Sequence, residues 1–312
     1  MNGFQKSNKN QKMSIIMNSR LCIIPLFFLF CISRGYGVGI DVNPDKRGWH
    51  IELKRIATNI SSTSIQGQNE YADFSDSRIS GDSQFIAQGH FDLGLDFYAP
   101  RYVIFNSSLA EYGRTILNVD NKRIDNTTLD RILLSTDYTH RIWYVPIFAG
   151  GFEIGPFVKG SYQSGFENKR QITRLNAGMK IFDGVYLKDL HLNIFTEKDF
   201  ARSTAAENYG WEGSVKLEYK FNAHSKFYYY TNFRYYLYSS APETYNPLYQ
   251  LEMEIRLDTK FYKKLTIAPF VKYYALQGRH IREKGDNLFI GLSLSFGYIF
   301  LDATKKSELM PL

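Results

Sequence analysis

The sequence predicts an all-β fold: a closed antiparallel transmembrane β-barrel of about twelve strands. Three observations predict it. Apolar and polar residues alternate with period two along most of the chain. The alternating stretches run to roughly 11–16 residues, where strands of soluble sheets usually have about 5–6. The chain is 16% aromatic, with 24 Phe, 23 Tyr and 3 Trp, and tyrosine in such numbers suits a surface apolar on one side and wet on the other.

The first segment is not part of the barrel. Residues 1–37 carry Lys6, Lys9, Lys12, Arg20 and Arg34 and no acidic residue. An apolar run, Leu21–Ile32, follows the basic region, and the small residues Ser33, Gly35 and Gly37 come next. This is the pattern of a cleavable signal peptide. An apolar run of about 12 residues containing Pro25 is too short to span a bilayer as a helix. A start at Met13 or Met17 gives the basic region an ordinary length. Both cysteines, Cys22 and Cys31, fall here, which suits a chain that crosses an oxidising compartment. The remaining chain has 33 basic and 31 acidic residues, so most of the net charge of +7 belongs to this leader. Nucleic-acid binding needs a basic stripe on the folded domain and is not expected. The barrel is expected over residues 38–302 and a periplasmic C-terminal tail over 303–312.

Strands are expected near 47–59, 83–98, 101–117, 128–144, 151–163, 169–182, 185–198, 209–222, 225–239, 247–259, 264–277 and 286–301. In the tenth, Leu251, Met253, Ile255 and Leu257 alternate with Glu252, Glu254, Arg256 and Asp258. In the last, Leu288, Ile290, Leu292, Leu294, Phe296, Tyr298 and Phe300 make one face. Phe289, Gly291, Ser293, Ser295 and Gly297 make the other. A strand from Leu288 to Phe300 is about 40 Å long at about 3.3 Å per residue. Tilted by about 45° it covers roughly 28 Å, close to the apolar band of a membrane barrel, about 25 Å. An open sheet edge cannot lie in lipid with its N–H and C=O groups unpaired, so the sheet must close. Pro156 and Pro269 are expected to mark bulges or strand ends.

The connections alternate in length, as expected when both chain ends lie on one side. Long ones fall near 60–82, 118–127, 164–168, 199–208, 240–246 and 278–285, and short ones near Pro100, 145–150, Asp183-Gly184, 223–224 and 260–263. Aromatics flank both ends of the strands: Phe97, Tyr98, Tyr102, Trp143 and Tyr144 at the short turns, Tyr209, Trp211, Tyr235 and Tyr249 opposite. Two girdles of this kind belong to the two membrane interfaces.

The leader, the twelve long amphipathic strands and the terminal strand Leu288–Phe300 resemble a Gram-negative outer-membrane β-barrel. The resemblance implies an integral outer-membrane location with both termini periplasmic. Its partners are then outer-membrane lipid, lipopolysaccharide and the barrel-assembly machinery. In such barrels that machinery reads a last strand ending in an aromatic, here Phe296, Tyr298 and Phe300. Residues 301–312 continue past that aromatic, which departs from the pattern.

The inward faces should collect charge of both signs. The lumen-lining set is Glu52, Lys54, Asp92, Asp96, Glu153, Lys159, Arg174, Lys180, Glu212, Lys216, Glu218, Lys220, Arg234, Glu252, Glu254, Arg256 and Lys272. Strand four offers Arg131, Asp137 and Arg141, and strand two His90. Tyr228, Tyr230, Tyr236 and Tyr238 are expected to face inward beside Arg234. Two readings follow. A wet lumen passes small polar solutes, as a porin or channel, and its charges select among them. Alternatively the charges pair across the lumen and seal it, leaving a surface receptor, an adhesin or a structural protein. A third reading, a lipid hydrolase, lacks a sequence sign. None of the six histidines is followed two residues later by Ser-Asn-Gly, and there is no HExxH or GxSxG. No metal or other cofactor is expected. The first loop, 60–82, is rich in Ser, Gln and Asp and is expected to be solvated.

Overall fold

Each stretch of period-two alternation forms a strand, and hydrogen bonding joins the strands into a wall without an edge. The computed structural model describes residues 46–304 apart from 68, 72–73, 75, 77, 80–84, 120–121, 147–150, 168–170 and 201–204. The expected leader, 1–37, and the tail beyond 304 lie outside the described residues.

The strands are β1 (Gly48–Gln66), β2 (Phe85–Tyr98), β3 (Tyr102–Val119), β4 (Lys122–His140), β5 (Trp143–Val145), β6 (Phe152–Ser164), β7 (Ile172–Phe182), β8 (Leu187–Asp199), β9 (Ala206–Lys220), β10 (Ser225–Ser239), β11 (Pro247–Tyr262), β12 (Leu265–Gly278) and β13 (Gly285–Asp302). Apart from β4 and β5, which do not pair with each other, each pairs antiparallel with its neighbours in sequence; β1 pairs with β13, and β6 pairs with both β4 and β5. β4 and β5 are therefore one stave with a break, and the barrel has twelve staves.

The break has a local cause. β4 pairs with β6 as far as Thr139–Phe157, and β5 resumes at Trp143–Ile154. Opposite the gap lie Gly155 and Pro156. Proline has no N–H to give the ladder. The His140 carbonyl oxygen lies 1.5 Å from where a Cβ of Gly155 would stand, so glycine is required there. Arg141 turns into the barrel at this point. Pro269 acts more mildly: β12 continues through it, paired to Leu292 on β13, while pairing with β11 lapses between Arg256–Phe270 and Thr259–Ile267. Neither proline ends its own strand; an irregularity of the expected kind lies at Pro156, where residues 140–142 stand opposite 155–156, whereas the register is unshifted around Pro269. Each removes contact with one neighbour.

A bulge changes the parity of β1. The register shifts between Leu53 and Arg55. Before it the even residues His50, Glu52 and Lys54 face the lumen, and after it the odd residues Arg55, Ala57, Asn59, Ser61 and Thr63 do. Lys54 and Arg55, adjacent in sequence, thus both point inward. A one-residue slip flips every later side chain to the other face.

The outer face is apolar. Leu192 (64% exposed), Ile194, Leu237, Ile290, Leu292 and Leu294 lie open between two aromatic belts. At the short-turn end Trp49 packs on Phe97 and Tyr102 stacks on Tyr138; at the other end Trp211 stacks on Tyr235. A closed wall that satisfies its own backbone and presents an apolar band flanked by aromatics is a membrane-spanning barrel of the outer-membrane type.

Two connections differ from expectation. β3 runs to Val119 and β4 begins at Lys122, so strand replaces most of the loop expected over 118–127. The loop after β1 begins later than expected, at Gly67, and although Asn69 and Glu70 are exposed, Tyr71, Phe74, Asp76 and Ile79 turn inward rather than into solvent. Tyr71 and Ile79 are fully buried and pack with Phe74, Tyr274 and Leu276. The Tyr71 hydroxyl donates to the Glu283 carbonyl at 2.8 Å and accepts from the Gly278 N–H at 2.9 Å.

Candidate functional site

The site is the lumen. The inner wall encloses a cavity of about 650 Å³, and 14 Lys/Arg and 12 Asp/Glu side chains line it among the described residues. The signs nearly balance, so the lumen has no strong field of one sign. A buried charge is stable when paired, and most of these are paired.

One network spans the barrel. Arg131 on β4 donates to Glu111 on β3 at 2.5 Å and to Glu252 on β11 at 3.3 Å. β4 and β11 are six places apart in the ring of twelve, so this guanidinium ties opposite walls. Lys272 on β12 lies 3.2 Å from Glu111 and 3.5 Å from Glu254. Arg55 reaches Glu254 at 3.3 Å, and Arg256 holds Glu254 at 2.7 Å and Asp258 at 2.5 Å. Arg55 also donates to the Ser293 hydroxyl at 2.8 Å. His90 contacts Glu111 at 3.1 Å, although Asp92 shares its strand face.

A second network lies on β4 and β7–β11. Lys180 meets Asp137 at 2.8 Å and Asp189 at 3.4 Å. His191 sits between Asp189, at 2.6 Å, and Glu212, at 3.6 Å. Arg234 donates to Glu212 at 2.8 Å and to Gln250 at 2.8 Å, and Arg174 pairs with Glu197. Charge-assisted bonds of this kind hold their side chains in one geometry.

The two mouths differ. At the short-turn end Tyr98, Val103 and Phe182 cluster with Phe105, and Lys180 lies 4.2 Å over the Phe105 ring. Arg141, released from the wall by the β4–β5 break, binds Glu153 at 2.5 Å and the Ala99 carbonyl at 2.8 Å. At the long-loop end the first loop adds Arg78. Its guanidinium lies 3.7 Å over the Tyr274 ring and pairs with Asp76 at 2.8 Å and Glu252 at 3.4 Å. Burial opposes the charge on Arg78, but Asp76, Tyr274 and Glu252 outweigh it and hold the guanidinium well above its usual range. The loop thus joins the network that crosses the lumen.

Of the residues the sequence singled out, Glu52, Lys54, Asp92, Asp96, Lys159, Arg174, Lys180, Glu212, Lys216, Glu218, Arg234, Glu252, Glu254, Arg256 and Lys272 line the cavity. Glu153 is buried at the short-turn mouth against Arg141. Lys220 is exposed at the end of β9 and does not join the lining. Tyr228, Tyr230 and Tyr236 line the cavity. Tyr238 does not: the register shifts between Tyr236 and Tyr238, and Tyr238 is exposed against Tyr209 on the outside. Phe296, Tyr298 and Phe300 stand in a row on the outer face of β13, with ring centroids 6.5 and 5.1 Å apart. Sequence reasoning missed Arg55, Arg78, Glu111, Asp189 and Glu197. The last two share the odd face of β8 with His191 and Asn193, opposite Leu190, Leu192 and Ile194, so that alternation was a usable sign. Among the described residues no group of three His, Cys, Asp or Glu side chains is placed to hold a metal ion.

No protein-family model matches the chain, and no curated protein matches it. Its fold is similar to that of several solved barrels. They include an outer membrane channel from Pseudomonas putida F1, at 8% identity over 85% of this chain and 98% of that one, with a TM-score of 0.43. The NanC porin matches at 13% identity over 76% and 98%, with a TM-score of 0.37. Outer membrane phospholipase A from Escherichia coli matches at 9% identity over 77% and 90%, with a TM-score of 0.40. Likeness at this level concerns barrel architecture and carries nothing about activity.

Proposed function

We propose that this protein is a narrow outer-membrane channel for small polar solutes, with both termini in the periplasm. The observation that carries the reading is the lumen itself. Its filling is charged and hydrogen-bonded rather than apolar, and it holds a cavity of about 650 Å³ inside a wall whose outer face is apolar. A barrel built only as an anchor is served by apolar filling, which avoids the desolvation that each buried charge incurs. In the same reading Phe296, Tyr298 and Phe300 present the assembly signal, and lipid with lipopolysaccharide surrounds the apolar band.

A second reading, a sealed barrel that acts through its outer loops, draws on a specific observation as well. The Arg131–Glu252 tie and the inward first loop lie in the path of a solute. One experiment separates the two. Single-channel conductance of the refolded barrel in a planar bilayer should give small discrete steps. Steps of the Arg131→Gln, Glu252→Gln double variant should be larger, because the tie across the lumen is gone. Folded, heat-resistant barrels that stay silent in both forms would reject the channel and favour the sealed scaffold.

A further inference from the structure

The lumen charges form two populations. Those in the networks above have partners. Toward the short-turn end, Lys54 on β1, Lys188 on β8 and Lys216 on β9 line the cavity with no carboxylate within 4.0 Å among the described residues. Asp92 and Asp96 on β2 have no ion-pair partner among them either. Asp96 is 8% exposed, and its Oδ1 is buried without a hydrogen-bond donor. A buried carboxylate oxygen with no donor is unusual and calls for a ligand or water.

The topology sets these groups against each other. β2 and β9 are six places apart in the ring of twelve, and β2 and β8 five. Asp96 precedes the end of β2 at Tyr98, Lys188 follows the start of β8 at Leu187, and Lys216 precedes the end of β9 at Lys220. All three therefore belong to the same end of the barrel. A ring of twelve strands about 4.8 Å apart, tilted by about 40°, has a Cα diameter of about 24 Å. Inward side chains from two facing walls leave a gap of roughly 10 Å in a ring of that size. Tyr228, whose ring lies 5.6 Å from Lys216 and 4.4 Å from Arg256, lines the same end.

We propose that this end of the lumen is a binding site for a small zwitterion. Its ammonium group is taken by Asp96 with Asp92, and its carboxylate by Lys188 and Lys216. A simple anion is disfavoured because the carboxylates of β2 face the lysines. A metal cation is disfavoured because no third carboxylate, His or Cys among the described residues joins Asp92 and Asp96 to complete a ligand set. A solute that carries both charges aligns with the field between the walls and meets both. As a step in translocation the site rests on the channel reading; as a binding site it does not.

The test uses four solutes with the same four-carbon chain: γ-aminobutyrate, butyrate, butylammonium and butyramide. Binding to the whole refolded barrel in detergent is measured by calorimetry. γ-Aminobutyrate should bind at least tenfold more tightly than each of the other three. Asp96→Asn and Lys216→Gln should each reduce that binding tenfold or more. Lys198→Gln, on the outer side of β8, should leave it unchanged. Binding of γ-aminobutyrate no tighter than butyrate, or unaltered in a folded Asp96→Asn barrel, would overturn the proposal. Liposome swelling with butyramide reports the channel separately. Zwitterion binding without butyramide entry upholds the site and rejects the channel; butyramide entry without zwitterion binding does the reverse.

Discussion

Adjacent residues on β13 give the sharpest test of the faces assigned to the wall. Leu292 is 52% exposed on the lipid side, and Ser293 is fully buried on the lumen side. Arginine at position 292 places a guanidinium in the apolar band, at a cost of about 2–4 kcal/mol near mid-bilayer. A wet, open lumen would tolerate arginine at 293, but the structure predicts otherwise. The Ser293 hydroxyl accepts a 2.8 Å hydrogen bond from Arg55. Two guanidiniums about 4 Å apart repel by about 4 kcal/mol at an effective dielectric of about 20. Loss of a hydrogen bond to a charged group adds about 1.5–3 kcal/mol. Ser293→Arg should therefore destabilise at least as much as Leu292→Arg. Ser293→Ala should lose only the hydrogen-bond contribution. The assay is urea unfolding of the barrel refolded into vesicles, comparing midpoints at equal slopes. A neutral Leu292→Arg would refute the outward face. A Ser293→Arg barrel more stable than Leu292→Arg would refute the tight seating of Arg55.

Further outcomes are expected from other parts of the molecule. Arg78→Ala removes the link between the first loop and Glu252, so protease should cut residues 67–84 faster than in the unaltered barrel; equal rates would show that the contacts of Tyr71 and Asp76 hold the loop without the Arg78 side chain. Gly155→Ala should fail to give a heat-resistant barrel, because the new Cβ meets the His140 carbonyl oxygen; a normal yield would contradict the close approach. Deletion from Gly285 onward removes both ladders of β13 and leaves an open edge, so membrane assembly should be lost, and its persistence would refute the twelve-stave closure. Hydrogen bonds to Asp286 and Tyr273 raise the Lys284 pKa above its usual range. A raised folded pKa stabilises fully below the unfolded value, about 10.4, and loses that contribution as pH rises through the folded value. The unfolding midpoint of the unaltered barrel should thus approach that of Lys284→Met only above about pH 10.4. The difference should be small, since half of the Lys284 side chain is exposed. A gap between the two that widens with pH would reverse the sign.

Much of the architecture is legible because period two is a strong local signal. The alternation of Leu251, Met253, Ile255 and Leu257 with charged residues declares both the strand and its faces, and the same holds for β13. Three features were not legible. The β1 bulge brings Lys54 and Arg55 to the same side, and neither glycine nor proline marks it. The shift after Tyr236 sends Tyr238 outward from a run of tyrosines whose alternation is unbroken in sequence. The inward course of the first loop depends on Tyr71, Asp76 and Arg78 finding Tyr274, Gly278 and Glu252, all about two hundred positions later in the chain. Partners at that separation leave no local trace. The lining residues of the candidate site follow from strand parity, whereas their pairing follows from ring geometry. Arg131 and Glu252 meet because six staves separate them, a count that requires the closed barrel.

The tie between Arg131 and Glu252 has a mechanical consequence. A tube of twelve strands fastened only along its seams can flatten, since hinging between neighbouring strands leaves the ladder bonds intact. Here one strut runs the full width of the tube, and Lys272 with Glu111 sets another across a third of its circumference. Squeezing the barrel along one axis lengthens the other and pulls an ion pair apart. The protein is built like a spoked wheel: its roundness is held from the hub as well as the rim, and a bilayer pressing unevenly on its sides has to break a spoke before it can change the bore.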